Sequence, residues 1–341
     1  MMPEHTRSDA PVALVTGATG FTGSHLVRSL VADGKRVRVL ARSAARAATR
    51  LPGDIELVEG EIGDAGTLAR AVEGVERVYH LAAAYREARH KEEYYWKVNF
   101  EGTRALLEAA RASGVRRFVH CSTVGVLSHI ANPPADERQP HNPADVYQRT
   151  KSEAEKLALA AHQPAGMTVA VARPTAIYGP GDSRLLKLFR SIATGRFIML
   201  GSGDIYYHMV YVSDLISGLR LLGEHPRAAG EVFTLGGEGY YQLRAIVALI
   251  ARLLEVPPPR RRLPAWPFQL AGSICEKICV PFGIEPPIYR RRVDFFTKSR
   301  AFTIEKARRM LGYAPEVDLE TGFRCTIDWY RANGLLPPAH S

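Results

Sequence analysis

Tyr147 and Lys151 stand four residues apart in Tyr147-Gln148-Arg149-Thr150-Lys151. On a helix, that spacing puts the phenol and the ammonium on one face. The pairing has a chemical use, because a free tyrosine titrates near about 10 and is a poor acid or base at neutral pH. A neighbouring cation stabilises the phenolate, and lowering the pKa by about three units takes roughly 4 kcal/mol of differential interaction. Lys151 can supply part of that. Upstream, His120-Cys121-Ser122-Thr123 reads as a strand end. A hydroxyl there can hydrogen-bond a substrate oxygen that carries charge during reaction. Ser122 and Thr123 both fit, and the one not used would serve the strand-end turn.

A second set of residues points to what would react. The β-branched run Val12–Thr16 leads directly into Thr16-Gly17-Ala18-Thr19-Gly20-Phe21-Thr22-Gly23, and a helix pattern follows. Glycines at 17, 20 and 23 permit a tight turn, close approach of backbone to a pyrophosphate, and close helix–strand packing. The N–H groups at the helix start, with its dipole, then hold the diphosphate of a dinucleotide. Gly17, Thr19, Gly20, Phe21 and Gly23 are therefore candidate cofactor residues, and Lys151 would also reach the nicotinamide ribose. At the end of the second strand an acidic residue would favour NAD. This chain has Leu40-Ala41-Arg42-Ser43, where a cation and a hydroxyl suit a 2′-phosphate, so NADP is expected, with NAD as the alternative and Arg42 as plain surface charge.

These residues need a frame. The first half alternates strand candidates at Val12–Thr16, Arg36–Ala41, Ile55–Glu59, Arg77–Leu81, Arg117–Ser122 and Thr168–Ala172 with helix-length stretches. The helical stretches are Thr22–Ala32, Ala65–Val72, Glu92–Ala112 and Asp145–Ala161. Alternation of this kind predicts an α/β fold, a Rossmann-type doubly wound parallel sheet covered on both faces. After about residue 175 prolines cluster at Pro257–Pro259, Pro264 to Pro267 and Pro286–Pro287. Helices such as Leu243–Leu254 and Ile304–Leu311 predominate there, with short strands near His208–Val212 and Glu231–Leu235 that could rejoin the main sheet. The expected division is a dinucleotide-binding domain over residues 1–175 and a smaller, mostly helical substrate lobe over 176–341. Ligands belong in the cleft outside the carboxyl ends of the strands.

Composition narrows the class. The chain has 341 residues, 46% hydrophobic and 23% charged, enough apolar content for a full core and too little charge for disorder. No apolar stretch approaches the roughly 18–20 residues that cross a bilayer, and Met1 to Pro11 lacks the apolar core of a signal peptide. The four cysteines are too few for a disulfide framework. Cys275 and Cys279 would share a helix face, but a zinc site needs two further ligands and no His or Cys pair stands near. No metal is expected, and a reducing cytoplasm fits best. Forty-five Lys and Arg against thirty-five Asp and Glu leave a net charge of +10, without any of the usual nucleic-acid-binding motifs. The clusters Arg260–Arg262 and Arg290–Arg292 are either solvated surface or a basic rim facing an anionic surface or substrate.

Together these elements resemble the extended short-chain dehydrogenase/reductase family, which holds nucleotide-sugar epimerases, dehydratases and 3β-hydroxysteroid dehydrogenases. The likeness spans nearly the whole chain. Beside the glycine turn it includes Glu61-Ile62 near adenine, His80-Leu81-Ala82-Ala83 after the fourth strand, and Asn99 in Val98-Asn99-Phe100-Glu101-Gly102-Thr103. It continues through Ser122-Thr123, Tyr147 and Lys151, Arg173-Pro174 leading to Tyr178-Gly179-Pro180, and Leu311-Gly312-Tyr313-Ala314-Pro315. The resemblance implies that Thr123, Tyr147 and Lys151 carry catalysis, that Leu81, Ala82, Ala83 and Ser122 line the cofactor, and that Asn99 orders the site. The segment after Pro174, Ile177 included, would pack on the nicotinamide. Glu61 replaces the more usual aspartate and Thr150 a usual serine, and neither change threatens the chemistry.

Departures narrow the substrate. The 4,6-dehydratases of the family carry an Asp-Glu pair after the threonine, where this chain has Val124-Gly125. Nucleotide-sugar enzymes often carry an Asn where Thr175 and Ala176 stand, and an Arg-Asp pair where Tyr207-His208-Met209 stand. The apolar stretch Pro264 to Pro281, with Trp266, Phe268, Leu270, Ile274 and Ile278, resembles the hydroxysteroid branch; the plain alternative is lobe core. Tyr85, Tyr178 and His208 are candidates for the substrate pocket, or else core and structural residues.

The expected activity is NAD(P)-dependent hydride transfer to or from a secondary alcohol or ketone carbon of a steroid-like or other bulky small-molecule substrate. A nucleotide-sugar 4-epimerase that uses tightly bound NAD transiently is the alternative. A nucleotide sensor would need no acid, and the intact Thr123, Tyr147 and Lys151 set argues against one. The likeness also implies a homodimer through Glu92–Ala112 and Asp145–Ala161. The basic and apolar C-terminal lobe suggests weak association with a membrane surface.

Overall fold

The computed structural model describes residues 11–85, 91–279 and 290–338. The predicted signal-free start therefore falls outside the described residues, as do Pro281, Pro286 and Pro287 and the side chains of Ile278, Cys279 and Arg290–Arg292.

Short runs of β-branched residues form the strands, and amphipathic stretches cross between them. The order begins β1 (Val12–Thr16), α1 (Phe21–Ala32), β2 (Arg36–Ala41), α2 (Ala44–Arg50), β3 (Glu56–Glu59), α3 (Ala65–Val72) and β4 (Val75–His80). It continues with α4 (Glu92–Tyr95), a π-helical turn at Trp96–Glu101, α5 (Gly102–Ala112), β5 (Arg117–Cys121), α6 (Val146–Ala160), β6 (Thr168–Pro174) and β7 (Ala176–Tyr178). The remainder is α7 (Leu186–Ala193), β8 (Met199–Leu200), β9 (Tyr206–Tyr211), α8 (Val212–Glu224), β10 (Val232–Leu235), β11 (Tyr240–Gln242), α9 (Leu243–Leu253) and β12 (Arg262–Leu263). Four helices close the described chain: α10 (Trp266–Cys279), α11 (Arg290–Thr297), α12 (Glu305–Leu311) and α13 (Leu319–Ala332).

Seven strands form one sheet in the order β10-β6-β5-β4-β1-β2-β3, and every pairing is parallel. This is the doubly wound Rossmann-like arrangement that the alternation predicts. The strand order reverses between β1 and β4, so the crevice for a ligand opens outside their carboxyl ends. All five residues of β1 are buried, as a strand covered on both faces requires.

The chain does not separate cleanly at residue 175. Val232–Leu235 joins the main sheet beside β6, and α8 packs with α1 in the same core as Val15, Leu26 and Val119. The other late strand, Tyr206–Tyr211, stays out of the main sheet and pairs instead with β7 and β11. A second core, built from Phe189, Tyr207, Ile246, Ile250, Phe323 and Tyr330, holds the lobe together. The apolar stripe of α10 does not belong to that core: Trp266, Leu270 and Ile274 are exposed and Phe268 is half-buried.

The stretch Glu92–Ala112 reads in sequence as one helix, and the structure interrupts it. Six residues, Trp96–Glu101, take a π-helical turn, a wider turn than an α-helix makes, and Asn99 in its middle is buried. Such insertions recur at functional sites.

Candidate active site

At the β1–α1 turn Gly17 has φ of +70°, and a Cβ there would stand 2.6 Å from the Ala82 nitrogen. A Cβ at Gly23 would stand 2.7 Å from the Ala18 Cα. Both positions therefore demand glycine, one for backbone shape and one for packing. Gly20 caps α1 without any side-chain hydrogen bond, and the first turn holds no acidic residue. The free N–H groups and the positive end of the helix dipole thus point into the crevice, which fits a dinucleotide diphosphate. Thr19 lies beside them with its carbonyl accepting from Arg50, 3.0 Å away. Phe21 packs edge-on against His25 under the Arg184 guanidinium.

Backbone also shapes the crevice beside that turn. Leu81 N–H donates to the Thr16 carbonyl (3.2 Å) and Ala82 N–H to the Thr16 hydroxyl (3.3 Å), so the β4 end lies flat over the glycine turn. Ala83 is exposed at the edge. Ile62 packs on Gly102 of α5 while Glu61 stays in solvent. At the end of β2, Arg42 is exposed and donates to the Tyr94 hydroxyl (3.1 Å), and Ser43 caps α2 by accepting from Arg46 N–H (3.3 Å). Glu59 reaches the same helix start, accepting from Ala44 N–H at 3.0 Å.

Tyr147 and Lys151 occupy the first two turns of α6, whose N-terminus is capped by Asp145. Asp145 accepts from Gln148 N–H at 2.8 Å and so sets where the helix starts and which way its face points. Tyr147 is half-buried, and its ring meets Tyr85 edge-on with centroids 4.8 Å apart. Lys151 is buried, and its ammonium donates to the Cys121 carbonyl (2.8 Å) with His120 Nε2 at 3.4 Å. Burial lowers the Lys151 pKa to about 8, although Cys121 and Glu155 both favour its charged form.

The two strand-end hydroxyls take different roles. Ser122 is buried and donates to the Glu155 carboxylate at 2.5 Å, so its proton is committed inward. Thr123 is only half-buried; its oxygen accepts from Gly125 N–H (3.0 Å), which leaves the hydroxyl proton to point elsewhere. Val124-Gly125 begin a short 3₁₀ turn, Val124–Leu127.

Asn99 fixes the floor. Its carbonyl oxygen accepts from Ala84 N–H (2.7 Å), and its amide donates to the Ala84 carbonyl (3.2 Å) and to the Thr150 hydroxyl (3.0 Å). Thr150 in turn donates to the Tyr147 carbonyl at 3.0 Å. Behind Asn99 the chain of contacts runs from its carbonyl to Thr103, then His80, then Thr16. His80 is fully buried, and desolvation followed by the nearby Lys151 charge lowers its pKa to about 3, so it is a neutral hydrogen-bonding spacer.

Of the predicted pocket residues, the structure brings Tyr85 to Tyr147 and takes two others away. Tyr178 is buried in the lobe core, edge-on to Tyr211 and Phe323. His208 is buried on β9 with Nε2 2.8 Å from the Gly237 carbonyl, and burial lowers its pKa. Tyr178 faces the lobe core, and His208, on the opposite face of β9 from Tyr207 and Met209, packs against the Gly236–Gly237 backbone. Pro174 is buried at the end of β6, and Ile177 is half-buried, packed against the main core.

Sequence reading missed the group beneath Lys151. Glu155, one turn further along α6, is fully buried and accepts from Ser122 and Arg173 (2.6 Å), with His141 Nε2 3.2 Å away and itself accepting from Arg173 (2.7 Å). Burial raises its pKa, but the contacts with His141 and Arg173 and the Arg173 charge win, holding it at about 2. The only sequence signal was the same four-residue spacing that paired Tyr147 with Lys151.

The parallel sheet and the glycine turn at its switch point define a Rossmann-like α/β protein. The chain belongs to the NAD dependent epimerase/dehydratase family, a family of enzymes whose model matches residues 13–236. It is 31% identical to a 3-beta-hydroxysteroid dehydrogenase of Mycolicibacterium neoaurum, covering 95% of this chain and 92% of that one. It is 30% identical to sterol demethylase protein B of Methylococcus capsulatus, covering 95% and 99%. The structure of DesIV, a dTDP-glucose 4,6-dehydratase from Streptomyces venezuelae with NAD and TYD bound, superposes with a TM-score of 0.75 at 27% identity, covering 96% of this chain and all of that one.

Proposed function

We propose that this chain is an NADP-dependent oxidoreductase acting on a secondary alcohol or ketone carbon of a bulky, largely apolar, steroid-like substrate. The observation that carries the reading is the geometry of α6. A half-buried phenol at Tyr147 sits one turn from a buried ammonium at Lys151, outside the carboxyl end of β5. The nicotinamide, when bound, gives or takes the hydride. In reduction, the Tyr147 O–H donates its proton to the carbonyl oxygen, and Lys151 stabilises the phenolate that remains. Thr123 O–H hydrogen-bonds the same oxygen. The turn at Gly17, Thr19, Gly20, Phe21 and Gly23 would hold the diphosphate, Glu61 and Ile62 the adenine, and Leu81, Ala82, Ala83, Asn99, Ser122, Pro174 and Ile177 the nicotinamide half.

Arg42 and Ser43 at the β2 end support NADP. NAD is the second reading, supported by the Glu59 carboxylate at the same helix start, which would repel a 2′-phosphate. A nucleotide-sugar 4-epimerase also has one observation in its favour. Arg300 comes from a distant part of the chain to lie over Tyr207 and donates to its hydroxyl at 3.1 Å, so a cation does reach β9.

A cytoplasmic setting accords with free cysteines at 121, 275 and 325, and no helix among the described residues is long and apolar enough to cross a membrane. A homodimer through α4–α5 and α6, and weak contact of the C-terminal lobe with a membrane surface, complete the reading.

The deciding experiment is stoichiometry. With a sterol or other bulky ketone the reduced-nicotinamide absorbance should fall in step with product, and Tyr147→Phe should slow this by about 10²–10⁴-fold with cofactor affinity retained. Isomerised sugar without net cofactor consumption would select the epimerase instead, and a fully active Tyr147→Phe would reject the assignment.

A further inference from the structure

α10 carries Trp266, Leu270 and Ile274 at spacings of four, which places them on one side of the helix. Their side is open to solvent: the three residues are 67%, 57% and 48% exposed. Leu263, just before the helix, is 42% exposed. Immediately upstream Arg260, Arg261 and Arg262 are all exposed. This arm is not loose. β12 pairs with β8, with Met199 N–H on the Arg261 carbonyl (3.0 Å) and Gly201 N–H on the Leu263 carbonyl (2.8 Å). The exposed arginines thus stand at a fixed strand immediately before the helix that carries the apolar residues.

We propose that this face docks on an anionic lipid bilayer, from which the apolar substrate enters. The inference rests on the bulky-substrate reading above. Tryptophan and leucine on one side, with arginines at the edge, is the composition of a segment lying in the headgroup region. The charge decides between occupants. A second copy related by two-fold symmetry would bring two arginine triplets into one interface, whereas an anionic bilayer complements them. Docking also places an open groove of about 550 Å3 at the bilayer, bordered by Trp266, Gln269 and Leu270 of α10, by His129 and by the Asp294–Lys298 ion pair. Its size suits a sterol-sized ligand. His129 lies six residues beyond Thr123, and its neighbour Ile130 is tied to the Ser299 carbonyl at 3.0 Å, so one wall of the groove belongs to the loop that carries Thr123.

The test is co-sedimentation of the full chain with vesicles of phosphatidylcholine alone or mixed with phosphatidylglycerol. The wild-type chain should sediment with the anionic vesicles. At about fivefold per arginine, R260E/R261E/R262E should weaken binding by on the order of 100-fold or more. W266S/L270S/I274S should abolish it, with the melting temperature unchanged in both variants. Wild-type chain left in the supernatant, or either variant binding as wild type does, overturns the proposal. So does a wild-type dimer that the serine variant converts to monomer in sedimentation velocity, which would make the face a protein interface. Vesicle binding needs neither cofactor nor substrate, so absence of nicotinamide turnover alongside intact vesicle binding would refute the oxidoreductase reading alone.

Discussion

Two helices of this chain treat the same physical problem in opposite ways. α6 buries charge: Lys151 and Glu155 sit inside the molecule, each surrounded by partners from other elements. α10 exposes apolar surface: Trp266, Leu270 and Ile274 face outward. Buried charge is costly unless fully paired, and exposed apolar patches are unfavourable unless something covers them. The first arrangement makes a precise site that tolerates little change. The second tolerates change in the fold, and its residues are free to serve binding.

Removing a partner on α6 is the most severe way to break that contrast. Glu155→Ala leaves the buried Arg173 guanidinium unpaired and should destabilise the chain by about 3–5 kcal/mol in urea unfolding. The same pairing has a pH signature. The Glu155 pKa, about 2 in the fold, lies below its ordinary value of 4.5. Its stabilisation is therefore complete above about pH 4.5 and is lost as pH falls toward about 2, a loss that Glu155→Gln should remove.

Asn99→Ala strips hydrogen bonds from Ala84 and Thr150 and should cost about 1–3 kcal/mol. Because Thr150 ties to the Tyr147 carbonyl, turnover should fall as well; unchanged kinetics would show that the floor does not position the phenol.

A smaller effect concerns protonation. The Lys151 ammonium is lost as pH rises through about 8. The kcat/KM for ketone reduction should fall above that value, roughly tenfold per pH unit, since this quantity reports groups of the free enzyme. A profile flat to high pH would separate Lys151 from the chemistry.

The smallest effect belongs to α10. Trp266→Ser should change stability by no more than about 0.5 kcal/mol by thermal unfolding. A large loss would mean that the helix face is packed in solution.

Much of this was legible before any coordinates. Strand and helix periods, the glycine turn and the four-residue step from Tyr147 to Lys151 are local patterns, and local geometry converts them directly into shape. The failures are equally physical. Tyr178 follows a strand-end motif as a pocket residue would, yet it packs inside the lobe core edge-on to Tyr211 and Phe323, while His208 takes the structural place that was its alternative, buried against the Gly237 carbonyl. Glu155 looks like an ordinary surface partner for a lysine one turn away, until Ser122, Arg173 and His141 arrive from other segments to bury it. The π-helical turn around Asn99 leaves no trace in a 3.6-residue period.

The amino-acid order alone determined the sheet, the glycine turn and the four-residue step from Tyr147 to Lys151, because each depends on residues a few positions apart. Which hydroxyl is spare, what holds Lys151 in the interior, and which apolar stripe remains uncovered were decided only by tertiary structure. Those outcomes depend on groups distant in sequence competing for the same hydrogen bonds and the same buried space.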